Sequence, residues 1–163
     1  MTAQAPVASS SWLHDVEQLR QLKARYGDLV DRCMNGDRDT AVRLSMLFTE
    51  DCVLDFTQIF GRVFRGRADI VDFFGTTLPG LRAWTWHSFT NPIVEIDGDR
   101  AEVQWYLYAM STPRSSPRDT PNTVYGRYHD HYVRSGTGWL QSGLTFLNET
   151  RTAAPRDQGE MDG

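Results

Sequence analysis

The chain has 163 residues, 40% of them hydrophobic and 23% charged, with a formal net charge of -4. At this length one domain buries roughly 68–70% of the surface its unfolded chain exposes, so a single ordinary core is expected. The acidic balance excludes the electrostatic footprint of a nucleic-acid binder, and no apolar run approaches the roughly 18 residues that would mark a membrane-spanning helix.

Met1 to Ser10 is small and polar, without the charged and apolar regions of a secretory leader. Residues 1–12 therefore read as a flexible tail, as does the Pro/Gly/acidic stretch 152–163, leaving one domain over 13–151. From Leu13 the apolar residues Leu19, Leu22, Tyr26, Leu29, Val30 and Cys33 recur at helical spacing until Asn35-Gly36 stops them. Asp37 or Asp39 can cap a short second helix carrying Val42, Leu44, Met46 and Leu47. Cys52 to Phe56 reads as a strand, Gly61 to Gly66 as a hairpin return, and Ala68 to Leu78 as a third helix ended by Pro79-Gly80.

The second half reads as β. Strands over 85–96 and 100–111 flank the turn Asp97-Gly98-Asp99. After a Pro/Ser/Arg loop, 113–122, strands over 123–134 and 139–151 flank Ser135-Gly136-Thr137-Gly138. Helices followed by an antiparallel meander give an α+β class: a cone-shaped α+β barrel, with N-terminal helices packed in a strongly curved, mostly antiparallel sheet and one open pocket. Either Trp105/Leu107/Ala109 or Tyr106/Tyr108/Met110 faces the cone, and the other set then needs cover, which predicts a homo-oligomer.

Chemistry-bearing residues are few. Lys23 is the only lysine, so Schiff-base chemistry would rest on it alone, and no phosphate-binding G-x-x-x-x-G-K is present. Cys33 and Cys52 form no CxxC pair, which fits a reducing, cytoplasmic setting. His87 shares its strand face with Thr85, Phe89 and Asn91, a place for a general base in a pocket wall or for a satisfied core histidine. His129-x-His131 shares a face with Tyr125 and Arg127; no carboxylate follows over 132–138 to complete a metal site, so no metal is expected. On the first helix, the wheel puts Asp31 well away from the apolar stripe centred near Tyr26 and Cys33.

The run Leu19 to Arg32, Gly36-Asp37, Leu47 to Asp55, Gly66 to Ile70, His87-x-x-x-Asn91, the Gly98 to Ala101 turn and the Tyr128 to Trp139 hairpin resemble SnoaL-like proteins of the nuclear transport factor 2-like superfamily. The likeness covers about 13–151 and looks closest to the scytalone dehydratase, bile acid 7α-dehydratase and hexachlorocyclohexane dehydrochlorinase branch. That resemblance implies a catalytic Asp31–His87 dyad, with Tyr26 in the pocket where the dehydrochlorinase has a lysine. It implies a dehydratase-like lyase or isomerase, free of cofactors, acting on a hydrophobic, cyclic or polyketide-like molecule as a homo-dimer or homo-trimer.

Two departures stand out. Cys33-Met34-Asn35 are extra residues before the Gly-Asp turn, and between Leu140 and Asn148 the last strand has no arginine, which such enzymes often place there. Arg127 or His129 is the expected substitute, with Asn91, Tyr125 and Tyr108 completing the substrate-binding set. The rival readings are a polyketide cyclase or epoxide hydrolase, which needs a pocket carboxylate from Asp55, Glu95, Glu102 or Glu149, and a non-catalytic module holding an apolar ligand.

Overall fold

The computed structural model describes residues 10–37, 39–115, 121–136 and 138–149. Most of the expected tails and the middle of the 113–122 loop lie outside these residues. The apolar stripe of the first helix, α1 (Ser10–Met34), is buried at Leu19, Leu22, Tyr26, Leu29, Val30 and Cys33, as the spacing predicts. The helix begins at Ser10, so residues 10–12 belong to it and not to a tail. It ends where Gly36 takes a left-handed φ of 115°, a conformation that costs glycine little.

Then follow α2 (Thr40–Ser45), β1 (Phe48–Phe56), a turn of helix α3 (Thr57–Phe60) and β2 (Arg62–Arg65). The expected third helix is three consecutive pieces: α4 (Gly66–Asp72), a π-helical turn (Phe73–Thr77) and α5 (Leu78–Leu81). Pro79 falls in the first turn of α5, and the helix runs past it to Leu81. The long strands are β3 (Arg82–Asp97), β4 (Arg100–Pro113), β5 (Asn122–Ser135) and β6 (Gly138–Asn148).

One six-stranded sheet has the order β2-β1-β6-β5-β4-β3, antiparallel except where β1 runs parallel to β6. The sheet is curved and unclosed, and α1 lies along its concave face, mainly against β3. Alternation along β4 buries Ala101, Val103, Trp105, Leu107 and Ala109 inward, which decides between the two candidate faces. Tyr106 therefore faces outward and is exposed, as are Trp84, Trp86 and Tyr125. No helix of the described residues is long and apolar enough to cross a membrane.

At the far end, Arg134 grips the Asp15 carboxylate with two parallel hydrogen bonds of 3.0 Å, and the Trp139 indole N–H adds a third of 3.0 Å. Those bonds pin the start of α1 to the β5–β6 hairpin. The hydrogen bonds from Arg134 hold the Asp15 carboxyl below the usual carboxylate range.

Candidate active site

Asp31 sits in the last turns of α1, and β3 brings His87 to it. His87 Nδ1 lies 2.6 Å from Asp31 Oδ1, and the His87 backbone N–H donates to Asp31 Oδ2 over 2.9 Å. The Thr85 hydroxyl donates to Oδ1 over 3.1 Å. A carboxylate oxygen only accepts, so beside an ionised Asp31 a neutral His87 carries its proton on Nδ1 and presents the Nε2 lone pair. Both side chains are largely enclosed, with 18% of Asp31 and 14% of His87 exposed.

The helical wheel does not foresee this place for Asp31, because a wheel measures one axis against a flat partner. Here the curved sheet rises beside the C-terminal end of α1 and reaches a second face of the helix. Asn35, just before the Gly-Asp turn, carries part of that contact. Asn35 accepts from the Thr85 N–H over 2.9 Å and donates to the Thr85 carbonyl over 3.0 Å, fastening the helix end to the strand that bears His87.

His87 and Thr85 line a pocket of about 70 Å³ whose walls are otherwise mostly apolar, including Val30, Phe56, Phe74, Leu107 and Phe146. Tyr26 and Tyr128 line it too, and their hydroxyls are hydrogen-bonded to each other. Burial drives the acidity of both phenols down, pushing Tyr26 and Tyr128 well above the ordinary tyrosine range. They are proton-bearing hydroxyls. Two O–H groups shared between two oxygens leave one hydrogen free for a bound acceptor.

The expected substrate-binding residues are elsewhere. Tyr108, Tyr125, Arg127 and His129 point to the outer face of the sheet, because the alternation that turns Leu107, Tyr128 and Asp130 inward turns them out. Tyr108 packs on Tyr125 with ring centres 5.3 Å apart, and Arg127 pairs with Glu149 at 3.0 Å. Asn91 follows Phe89 at a register irregularity between Thr90 and Ile93; its φ of 49° takes it out of the alternation, and it borders the groove outside α1. Among the rival carboxylates, Asp55 holds the Thr57 N–H at 2.9 Å, Glu95, Glu102 and Glu149 are exposed, and none lines the pocket.

Sequence reasoning missed a buried charge pair behind the pocket. Lys23 Nζ donates to Asp130 Oδ2 over 2.7 Å, Tyr132 OH donates to the same oxygen over 2.7 Å, and the lysine is 1% exposed. Its ammonium lies 4.3–4.5 Å from the ring centres of Tyr26, Phe89 and Tyr128. Burial pushes the Lys23 pKa down to about 8, against the pull of Asp130. The signal was present: Lys23 stands one turn before Tyr26 on the apolar stripe, and Asp130 sits between two outward histidines. Among the described residues, no three His, Cys, Asp or Glu side chains gather as a metal site would require, and both cysteines are free and buried.

The sequence profile of the SnoaL-like domain matches residues 11–145. No curated protein matches the chain. Among solved structures, a candidate aromatic ring hydroxylase from Novosphingobium aromaticivorans is 25% identical, covering 91% of this chain and 94% of that one with a TM-score of 0.71. A candidate scytalone dehydratase from the same organism is 18% identical, with 91% and 97% coverage and a TM-score of 0.71. A hexachlorocyclohexane dehydrochlorinase is 18% identical, with 86% and 88% coverage and a TM-score of 0.72. The last two likenesses concern the fold.

Proposed function

The chain belongs to the SnoaL-like family, and we propose that it is a lyase that removes water from a hydrophobic β-hydroxy carbonyl compound by Asp–His acid/base catalysis. The single observation carrying this reading is the 2.6 Å contact between Asp31 Oδ1 and His87 Nδ1 in the wall of an apolar pocket.

In this mechanism His87 Nε2 takes the proton from the carbon beside the carbonyl. Asp31 fixes the tautomer and stabilises the imidazolium that forms. The free hydroxyl hydrogen of the Tyr26–Tyr128 pair donates to the carbonyl oxygen as negative charge builds there. The carbon–oxygen bond on the next carbon then breaks, and the imidazolium returns its proton to the leaving hydroxide. The products are an unsaturated carbonyl compound and water. Positioned proton transfer of this kind supplies about 10²–10⁴-fold of the rate.

The exposed or otherwise engaged positions of Asp55, Glu95, Glu102 and Glu149 weigh against a cyclase or epoxide hydrolase built on a pocket carboxylate. The test is incubation with ring-bearing β-hydroxy ketones, following the conjugated product by ultraviolet absorbance. Product is expected with the unaltered chain and not with His87→Gln or Asp31→Asn. Equal product formation in either variant removes the dyad. Saturable binding without turnover in the unaltered chain leaves the ligand-holding module.

A further inference from the structure

Arg82 opens β3, five residues before His87, and lines the same pocket. Strict alternation would put it outside with Trp84 and Trp86, both exposed. A register irregularity between Arg82 and Trp84 interrupts the alternation there, and Arg82 lines the pocket. Its backbone is held by Arg114. That guanidinium donates to the Arg82 carbonyl over 3.1 Å and to the Pro79 carbonyl over 3.0 Å, while the Arg114 N–H donates to the Leu81 carbonyl over 3.0 Å. Arg114 thus fixes the main chain around Arg82, and among the described residues no ion pair takes the Arg82 guanidinium.

Arg82 is half-buried, and among the described residues it is the one arginine or lysine lining this pocket. The partly or fully buried carboxylates that pair do so elsewhere, among them Asp31 with His87, Asp130 with Lys23 and Asp15 with Arg134. A guanidinium is always charged, and at the edge of an apolar chamber its preferred counterpart is an anion that brings apolar bulk with it.

We propose that Arg82 anchors the substrate, and that the substrate is an apolar organic acid whose carboxylate rests on this guanidinium. One planar fork of charge +1 matches one planar carboxylate of charge -1; a phosphate would call for further cationic donors, which the pocket's described lining lacks. Five residues of strand separate Arg82 from His87 by roughly 16 Å along β3. The carboxylate is therefore a handle remote from the reacting carbon, where its charge does not oppose the carbanion character that proton removal creates. This assignment takes only the position of the reacting end from the proposed elimination; the anchoring itself is independent of turnover.

The experiment is calorimetric titration of the full chain with 4-phenylbutanoate and with its uncharged amide, 4-phenylbutanamide. The acid is expected to bind more tightly than the amide by about tenfold or more. Arg82→Gln removes that preference while leaving the amide's affinity in place, and Arg82→Lys keeps part of it, having charge without the fork. His87→Gln retains the preference, which separates anchoring from acid/base chemistry. Equal affinities in the unaltered chain, no saturable binding of the acid, or a preference that survives Arg82→Gln overturns the assignment. Loss of the preference in His87→Gln overturns it as well, by moving the anion to the dyad. Failure of the elimination reading registers separately, as turnover that is unchanged in His87→Gln.

Discussion

The Asp31 carboxylate holds His87 at two points, taking the ring Nδ1 on one oxygen at 2.6 Å and the backbone N–H on the other at 2.9 Å. A side chain that grips both the ring and the main chain of its partner fixes the imidazole's position and its tautomer together. Nitrogen-detected NMR of the histidine ring is expected to show the Nδ1–H tautomer for His87 in the neutral protein. Asp31→Asn is expected to give a mixture of tautomers, because an amide can donate as well as accept. A single unchanged tautomer in that variant would mean the carboxylate does not set it.

The buried Lys23–Asp130 pair supports a second prediction. Lys23→Met leaves the Asp130 carboxylate enclosed without its cation and is expected to cost about 3–5 kcal/mol in urea denaturation. Adding Asp130→Asn removes the orphaned charge while keeping an acceptor for Tyr132, so the double variant should regain most of the loss. A double variant no more stable than Lys23→Met would show that the lysine stem, not the charge, carries the effect.

Acid stability depends on the clamp at the other end of α1. Arg134 lowers the Asp15 carboxyl in the folded state, so its contribution is present above the unfolded value and is lost as pH falls through the lowered one. The midpoint of thermal unfolding should therefore drop between neutral pH and pH values below the ordinary aspartate value of 3.8. In Asp15→Asn that drop should be smaller, with lower stability at neutral pH. Parallel pH profiles for the two proteins would contradict this.

Gly126 is required by space and not by dihedral freedom. A Cβ there would stand 2.4 Å from the Leu147 carbonyl oxygen and 2.6 Å from the Phe146 ring. Gly126→Ala is expected to cost at least the about 1–3 kcal/mol of ordinary overpacking, since a sheet carbonyl cannot rotate away as a side chain can. Guanidinium unfolding measures it, and a change below 0.5 kcal/mol, roughly the scatter of neutral substitutions, would contradict it.

Comparison of His87 with His129 shows how far the chain's own pattern reaches. Two-residue alternation places His87 inward and His129 outward once any inward neighbour is known, but it does not say which face encloses a pocket. The expectation that Arg127, His129, Tyr125 and Tyr108 line the site fails for that reason. The face buried was the one carrying Trp105 and Leu107 on β4, with Tyr128 and Asp130 on β5. Asn91, expected in the site, lies outside the pocket at one register irregularity, and Arg82, on which no expectation was placed, lines it beside another; at both, alternation stops being a guide.

Local pattern by itself determined the α1 stripe, the Gly98 turn, the order of helices before strands and hence the α+β class, because each depends on residues within a few positions of one another. Likeness to the SnoaL-like family supplied the pairing of Asp31 with His87, which periodicity opposed. Only the tertiary structure decided that the curved sheet reaches the side of α1 where Asp31 stands, that Lys23 meets Asp130 across 107 residues of sequence, and that Arg82 lines the pocket. Those meetings depend on sheet curvature and register, which are set by the packing of the whole domain and leave no short-range trace in the chain.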